Sequence, residues 1–235
     1  MENCNANKTP ALKACLGKDE DGPPMSEDFN YRSIVGMLLY LSGNTRPDIT
    51  FAVSQVARFT HDPKKSHATA IKMIVRYLAG SINQGIVVPK VNKNKMMLRC
   101  YVDADFAGLY KIESEESSNS VKSRTGYIIF LGPWPLIWKS FLQTEVALST
   151  LEAEYSALSS ATRTILPIIS LFRLLIKNTD CSVKLNSIFH IKDKTFEDRD
   201  VVCSIFEDNN GAWTVAKNQR VTSRTKYFQV KWHHF

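Results

Sequence analysis

The sequence Met96-Met97-Leu98-Arg99-Cys100-Tyr101-Val102-Asp103-Ala104-Asp105-Phe106-Ala107-Gly108 decides how the rest of the chain is interpreted. Apolar and β-prone residues run into two carboxylates, Asp103 and Asp105, which predicts a buried strand that delivers an acid at its C-terminal end. The two acids could also simply begin a turn, because Asp is a common turn residue. Two later stretches favour the first interpretation.

A second apolar run, Val201 to Phe206, also ends in carboxylates, Glu207 and Asp208. A strand, a long helical crossover and another strand are typical of a parallel pair. Because parallel strands end at the same edge of a sheet, we expect Asp103 and Asp208 to lie close together.

The helix that opens near Ala147 supplies a third acid. Ser149 followed by Glu152 is a capping-box pattern, which gives Glu152 a structural role at the helix N-terminus. At ~100° per residue, Glu154 lies within ~60° of the apolar stripe that includes Leu158. We therefore expect Glu154, and not Glu152, to face the sheet.

Asp103, Glu154 and Asp208 together predict a divalent metal site. Three carboxylates at such short distances repel one another unless cations neutralise them. An oxygen-only cluster without Cys or a well-placed His suits Mg²⁺ or Mn²⁺ better than zinc. Two such ions can activate a water and stabilise the leaving oxygen in phosphodiester hydrolysis.

Four motifs carry a family resemblance: Tyr101 to Gly108, Lys122 to Tyr127, Ala147 to Tyr155, and Asp208 to Ala212 followed by Ala216 to Asn218. They resemble, in the same order, the ribonuclease H of copia-type retrotransposon Pol polyproteins. The resemblance implies that Asp103, Glu154 and Asp208 are metal-binding catalytic acids. It also implies that the substrate is the RNA strand of an RNA–DNA hybrid.

The segment before these motifs resembles the end of the reverse transcriptase region in the same polyproteins. Three helical patterns are predicted there, Tyr31 to Ser42, Asp48 to Thr60 and Lys64 to Ala79. The polymerase motif Tyr-x-Asp-Asp does not occur, so no polymerase site is expected in this chain.

Basic residues are concentrated in this helical segment. The chain has a net charge of +7, and residues 31–90 contribute eight Lys or Arg against two Asp. Lys65, Lys72 and Arg76 fall on one helix face, opposite the apolar one, and we assign nucleic-acid contacts to them and to Arg224 and Lys226. A merely solvated helix face is the alternative.

The predicted fold is mixed α/β. It consists of a ribonuclease H-like sheet with an antiparallel three-strand meander, a parallel fourth strand and flanking helices, preceded by a small helical subdomain. The expected domains are a disordered leader (1–27), a helical reverse-transcriptase tail (28–80), a linker (81–95) and a C-terminally truncated ribonuclease H-like domain (96–235). We expect Pro167 to end the helix that carries Glu154 and to start a buried one over Ile168 to Ile176.

One departure from the family pattern bears on activity. Family members continue from Arg-Thr-Lys-His-Ile-Asp to a further strand and helix with a fourth acid, whereas Tyr227 and Gln229 replace that His and Asp and the sequence ends at Phe235. Three functions therefore stay open: a ribonuclease H in retrotransposon replication, a catalytically weak or inactive nucleic-acid-binding remnant, and a fragment without a role.

The composition of the chain bears on the cellular compartment in which the protein is expected. The five cysteines form no C-x-x-C pair, which favours a reducing compartment over a disulfide framework. The first residues are polar, and no long apolar run suggests a membrane span. We expect an intracellular location, in a cytoplasmic particle or the nucleus, with an RNA–DNA hybrid and the remainder of a Pol polyprotein as partners and no membrane.

Overall fold

A computed structural model describes residues 4–11, 15–26, 28–89, 97–114, 116–178 and 203–218. The chain forms two compact units whose segments alternate along the sequence. The first unit consists of residues 1–86, 107–124 and 139–146, and the second of residues 87–106, 125–138 and 147–235. The predicted mixed α/β class is confirmed.

The first unit is built on three helices, α1 (Tyr31–Asn44), α2 (Thr50–Ala57), which follows a 3₁₀ turn at Pro47–Ile49, and α3 (Lys65–Gly80). All three predicted helices form, although α2 ends before Thr60. Asn30 caps α1, since its side chain accepts a hydrogen bond from the Ser33 amide at 3.2 Å. The apolar faces of the helices form one core: Tyr31, Val35, Leu38, Ile49, Ala52, Val53, Val56, Ile71 and Ile74.

The N-terminal segment 1–27, expected to be a disordered leader, packs against this core over its described residues. The Gly17 carbonyl lies 2.9 Å from His67 Nε2, and the Pro23 carbonyl accepts a hydrogen bond from the Lys65 amide at 3.0 Å. Three of its apolar side chains pack on the helices: Ala11, Leu16 and Met25. Isolated apolar residues have no period, so periodicity could not reveal this contact.

The loop after the first strand is also anchored within the first unit. It has no regular secondary structure, but Leu109 is buried and Glu113 is 6% exposed. The Glu113 carboxylate forms an ion pair with Arg58 and accepts a hydrogen bond from Ser117 Oγ at 3.0 Å. The buried acid is therefore both charge-paired and hydrogen-bonded, as burial requires.

A four-stranded sheet, most of whose residues belong to the second unit, has the strand order β3-β2-β1-β4. Its strands are β1 (Leu98–Asp105), β2 (Arg124–Leu131), β3 (Trp134–Leu142) and β4 (Cys203–Phe206). Gly132 and Pro133 alone connect β2 to β3. Gly132 has a φ of 58°, a backbone conformation that glycine adopts without steric cost.

Three strands form the predicted meander, and the fourth is parallel. The amide of Gly132, directly after β2, donates a hydrogen bond to the carbonyl of Met97, directly before β1. The end of β2 therefore lies beside the start of β1, so the two strands are antiparallel. In β4, Cys203 pairs with Leu98 and Phe206 with Tyr101, in parallel register. The strand order therefore places the C-terminal ends of β1 and β4 at the same edge of the sheet.

Helix α4 (Thr150–Asn178) covers this sheet and corrects one prediction. Pro167 lies inside the helix and does not end it. Proline removes one amide donor, which frees the carbonyl four residues earlier. That carbonyl belongs to the exposed Arg163, where water can satisfy it. The sheet and α4 share one core: Leu98, Cys100, Val102, Tyr127, Ile129, Ala157, Leu158, Ala161 and Ile165.

The second half of α4 is less buried than predicted. Ile168, Ile169 and Phe172 pack against the core, but Leu171 and Leu174 are more than half exposed. By length and composition alone, residues 150–175 could cross a membrane. The first half of α4 is buried in the core of the second unit, and core helices pass the same test.

Candidate metal centre

Three acids from distant parts of the sequence converge at one edge of the sheet. Asp103 lies near the end of β1, Glu154 on the second turn of α4, and Asp208 directly after β4. One carboxylate oxygen from each residue lies within 4.8 Å of those of the other two. Asp105, the alternative acid of the first strand, is exposed and is not a member of this cluster.

The backbone of β1 holds Asp103 in place. Val102, its neighbour, is buried in the core together with Cys100, whereas Asp103 is exposed. Alternation along a strand gives this pattern of buried and exposed positions. The pairing of β1 with β4 then fixes where Asp208 emerges.

The two glutamates of α4 have different environments, as the sequence predicts. The Glu152 amide donates a hydrogen bond to Ser149 Oγ at 3.1 Å, and Glu152 Oε2 accepts one from the Leu148 amide at 2.8 Å. Glu152 is therefore occupied in capping the helix. Glu154, two residues further on, belongs to the acidic cluster.

Glu154 is a buried acid with an unsatisfied oxygen. Its residue is 8% exposed, and its Oε2 atom has no hydrogen-bond partner. Burial raises its pKa to about 8, and the charges of Glu207, Asp103 and Asp208 contribute to this shift. Such a group is stable only when a proton or a cation neutralises it.

The start of α5 (Asn210–Asn218) positions Asp208. Asn209 caps this helix, because its Oδ1 atom accepts hydrogen bonds from the amides of Gly211 and Ala212 at 2.9 and 3.0 Å. A Cβ atom on Gly211 would lie 2.7 Å from a methyl carbon of Leu151. The start of α5 therefore lies close to α4, which carries Glu154, and a larger residue at position 211 would require the Leu151 side chain to move.

Glu207 is the residue of this region to which the sequence assigned no role. It is half-buried, its Oε1 atom accepts a hydrogen bond from the Asn209 amide at 3.3 Å, and its Oε2 atom is buried without a partner. Burial is the main cause that raises its pKa, to about 7, and Asp208 and Asp103 add to this. In the sequence, only its position directly after the predicted strand indicated that Glu207 lies near the other acids.

The donor set fits a hard divalent cation. All three converging ligands are carboxylates, the oxygen donors that Mg²⁺ and Mn²⁺ prefer. The unsatisfied, buried Glu154 Oε2 atom is the kind of oxygen that a cation would neutralise.

The residues predicted to contact nucleic acid lie elsewhere. Lys65, Lys72 and Arg76 are exposed on α3 of the first unit, and Lys72 Nζ lies 5.6 Å from the centre of the Phe29 ring. The other two predicted contacts, Arg224 and Lys226, fall outside the described residues. The exposure of the three α3 residues agrees with either a phosphate-binding or a solvated face.

Comparison with known proteins finds relatives among transposon polyproteins. The chain is 34% identical over 212 residues to a retrovirus-related Pol polyprotein from transposon RE1 of Arabidopsis thaliana, which covers 90% of this chain. It is 34% identical over 203 residues to one from transposon TNT 1-94 of Nicotiana tabacum, which covers 86%. It is also 38% identical over 133 residues to the secreted RxLR effector protein 161 of Plasmopara viticola, covering 57% of this chain and 87% of that protein.

The chain spans only 12–13% of the length of the two polyproteins. No known family profile matches the sequence. No solved structure is significantly similar to it.

Proposed function

Since this chain is homologous to one segment of the retrovirus-related Pol polyproteins of transposons, we propose that it is the ribonuclease H segment of such a polyprotein. Its reaction would be the metal-dependent hydrolysis of the RNA strand of an RNA–DNA hybrid during retrotransposon replication. The motifs around Asp103, Glu154 and Asp208, which resemble copia-type ribonuclease H, support this assignment.

The observation that carries the proposal is the convergence of Asp103, Glu154 and Asp208 within 4.8 Å. Two strands and a helix that are far apart in the sequence bring together three like charges. A fold gains no stability from such a cluster by itself, because carboxylates repel one another and resist burial. A cation-dependent function accounts for it.

The acids have distinct parts in this proposal. Asp103 and Asp208 are exposed, so a phosphodiester can reach them, whereas Glu154 holds the buried side of the site. All three would bind Mg²⁺ or Mn²⁺. Bound at such a site, these ions lower the pKa of an attacking water and stabilise the leaving oxygen.

The test is cleavage of a labelled RNA–DNA hybrid in Mg²⁺ or Mn²⁺ by the whole chain and its variants. Asp103→Asn and Asp208→Asn should each lower the cleavage rate by at least about 10–100-fold, the loss that is typical when even a partner of a metal ligand is removed. Glu152→Gln is the matched control, since Glu152 caps the same helix outside the cluster. Equal loss in the Glu152 variant would show that the wrong glutamate has been assigned.

A second candidate function rests on the exposed basic residues of α3 in the first unit. A catalytically inactive remnant could still bind nucleic-acid backbone through Lys65, Lys72 and Arg76. Metal-dependent cleavage by the wild-type chain would exclude this alternative. Salt-sensitive binding of the hybrid without cleavage would favour it.

A further inference from the structure

A small cavity in the first unit has no part in the function proposed above. It lies between α2, α3 and the N-terminal segment, and its volume is about 30 Å³. Most of its walls are apolar, and they include Phe51 of α2, Met73 and Ile74 of α3, and Leu16 of the N-terminal segment. Since one water needs about 10–15 Å³ of such space, the cavity has room for roughly two waters or for one compact organic molecule of about four heavy atoms.

A buried amide group faces this apolar surrounding. Of the described residues that line the cavity, only Gln55 of α2 has a polar side chain, and it is 4% exposed. Its Nε2 atom is buried, and none of the described residues accepts a hydrogen bond from it. Native proteins seldom leave a buried donor unsatisfied, so this amide requires an explanation.

Arg58 fixes the direction of the Gln55 amide. Its Nη1 atom donates hydrogen bonds to Gln55 Oε1 at 3.4 Å and to the Leu16 carbonyl at 3.2 Å. An ion pair with Glu113 holds the same guanidinium. If the amide turned over, Nε2 would meet a group that can only donate, so Oε1 stays with Arg58 and Nε2 is left for the cavity. The donor is therefore oriented before any ligand binds.

We propose that this cavity binds a small neutral carbonyl compound, a short aliphatic ketone in its simplest form. The carbonyl oxygen would accept the hydrogen bond from Gln55 Nε2, and the carbon atoms would pack against Phe51, Met73 and Leu16. Because these residues belong to α2, α3 and the N-terminal segment, the ligand would join all three. The site lies in the first unit and does not depend on the proposed metal-dependent function.

The chemistry of the lining favours a carbonyl group over other ligands. A charged group would lose its hydration without gaining a counter-charge from the lining. An alcohol would bring a donor of its own, for which the described lining offers no side-chain acceptor, whereas a ketone oxygen only accepts. Water would meet one polar side chain among apolar ones, although a buried water usually has two to four polar partners.

The experiment is an NMR titration of the whole ¹⁵N-labelled chain with acetone, in which the Gln55 side-chain amide and the backbone amides of α2 and α3 are followed. These signals should shift and saturate with a midpoint in the millimolar range, because so small a ligand makes few contacts. 2-Propanol has the same shape but adds a donor, and it should bind several-fold more weakly. Gln55→Met removes the amide at similar length and should abolish the shifts in α2 and α3. Gln84→Met replaces an exposed glutamine and should bind acetone as the wild type does.

A second variant keeps the test decisive if Gln55→Met folds poorly. Ala70 lines the cavity from α3, so Ala70→Leu should fill the space and prevent binding while Gln55 stays in place. Shifts that rise without saturation, or that persist in Ala70→Leu, would show a general solvent effect and overturn the site. Equal affinity for acetone and 2-propanol would overturn the assignment of a carbonyl ligand.

Discussion

At the scale of single residues, burial has opposite consequences for two acids of this chain. Glu113 is buried in the first unit, where Arg58 neutralises it and Ser117 donates a hydrogen bond to it. Glu154 is equally buried in the second unit, but the charged neighbours that shift its pKa are other carboxylates. The charge of Glu113 is therefore neutralised within the protein, whereas that of Glu154 has to be neutralised by a proton or a cation.

His67 yields a prediction on pH. Its ring is fully buried and stacks on Phe59 with the ring centres 4.0 Å apart. Nδ1 accepts a hydrogen bond from the Lys64 amide at 2.9 Å, so the neutral ring donates from Nε2 to the Gly17 carbonyl. Burial is the main cause that lowers its pKa below the ordinary value of 6.5.

The unfolded chain therefore binds a proton at His67 at a higher pH than the folded chain does. The free energy of unfolding of the first unit should be fully retained above pH 6.5 and should fall as the pH drops below that value. Because Glu154 and Glu207 titrate in the second unit, the measurement must be local. Hydrogen exchange of the α3 amides, followed as the pH is lowered, provides it.

Two variants control this prediction. His67→Gln cannot titrate, so opening of its α3 should no longer respond to pH in this range, although the variant is less stable overall. His61→Gln removes an exposed histidine and should behave as the wild type does. A pH response that persists in His67→Gln would assign the titration to another group.

At the scale of elements, α3 tests the nucleic-acid hypothesis. Replacement of Lys65, Lys72 and Arg76 by Gln should weaken binding of an RNA–DNA hybrid and make it less salt-dependent, by roughly 0.7–0.9 in the log–log slope for each phosphate that is no longer neutralised. Binding should be measured by fluorescence anisotropy over a range of salt concentrations. Lys111→Gln, which removes a charge from an exposed loop, is the control. An unchanged slope would mean that the α3 face is merely solvated.

The elements differ in how well the sequence predicted them. Strands β1 and β4 were predictable because each is an apolar run that ends in acids. The continuation of α4 through Pro167 was not, since the cost of a proline depends on whether the freed carbonyl of Arg163 reaches water. Tertiary packing of Ile168 and Phe172 on the core then holds the second half of the helix in place.

The residues of the candidate site also differ in how well the sequence predicted them. Asp103, Glu154 and Asp208 could be placed from strand order and helical period alone. The environment of Glu207 could not, because a residue just beyond a strand end has no period, and only its surroundings in the fold reveal an unsatisfied buried oxygen. For the same reason, the packing of Leu16 and Met25 against the helical core escaped prediction.

At the scale of the whole molecule, the pairing of β1 with β4 predicts an order of folding. Leu98 pairs with Cys203, so a long stretch of chain must be closed before these strands meet. The β2–β3 hairpin closes over two residues, and short loops close first because they lose less entropy. In pulse-labelled hydrogen exchange during refolding, amides of β2 and β3 should be protected before those of β4. Simultaneous protection of all three would contradict this order.

The same pairing has a consequence for biosynthesis. At about 5–20 residues per second, a ribosome adds β4 roughly 5–20 s after β1. During that interval the nascent chain contains Asp103, gains Glu154 about halfway through, and cannot yet contain Asp208. The metal centre proposed from these three acids is therefore incomplete on the ribosome until nearly the whole of this segment has been translated.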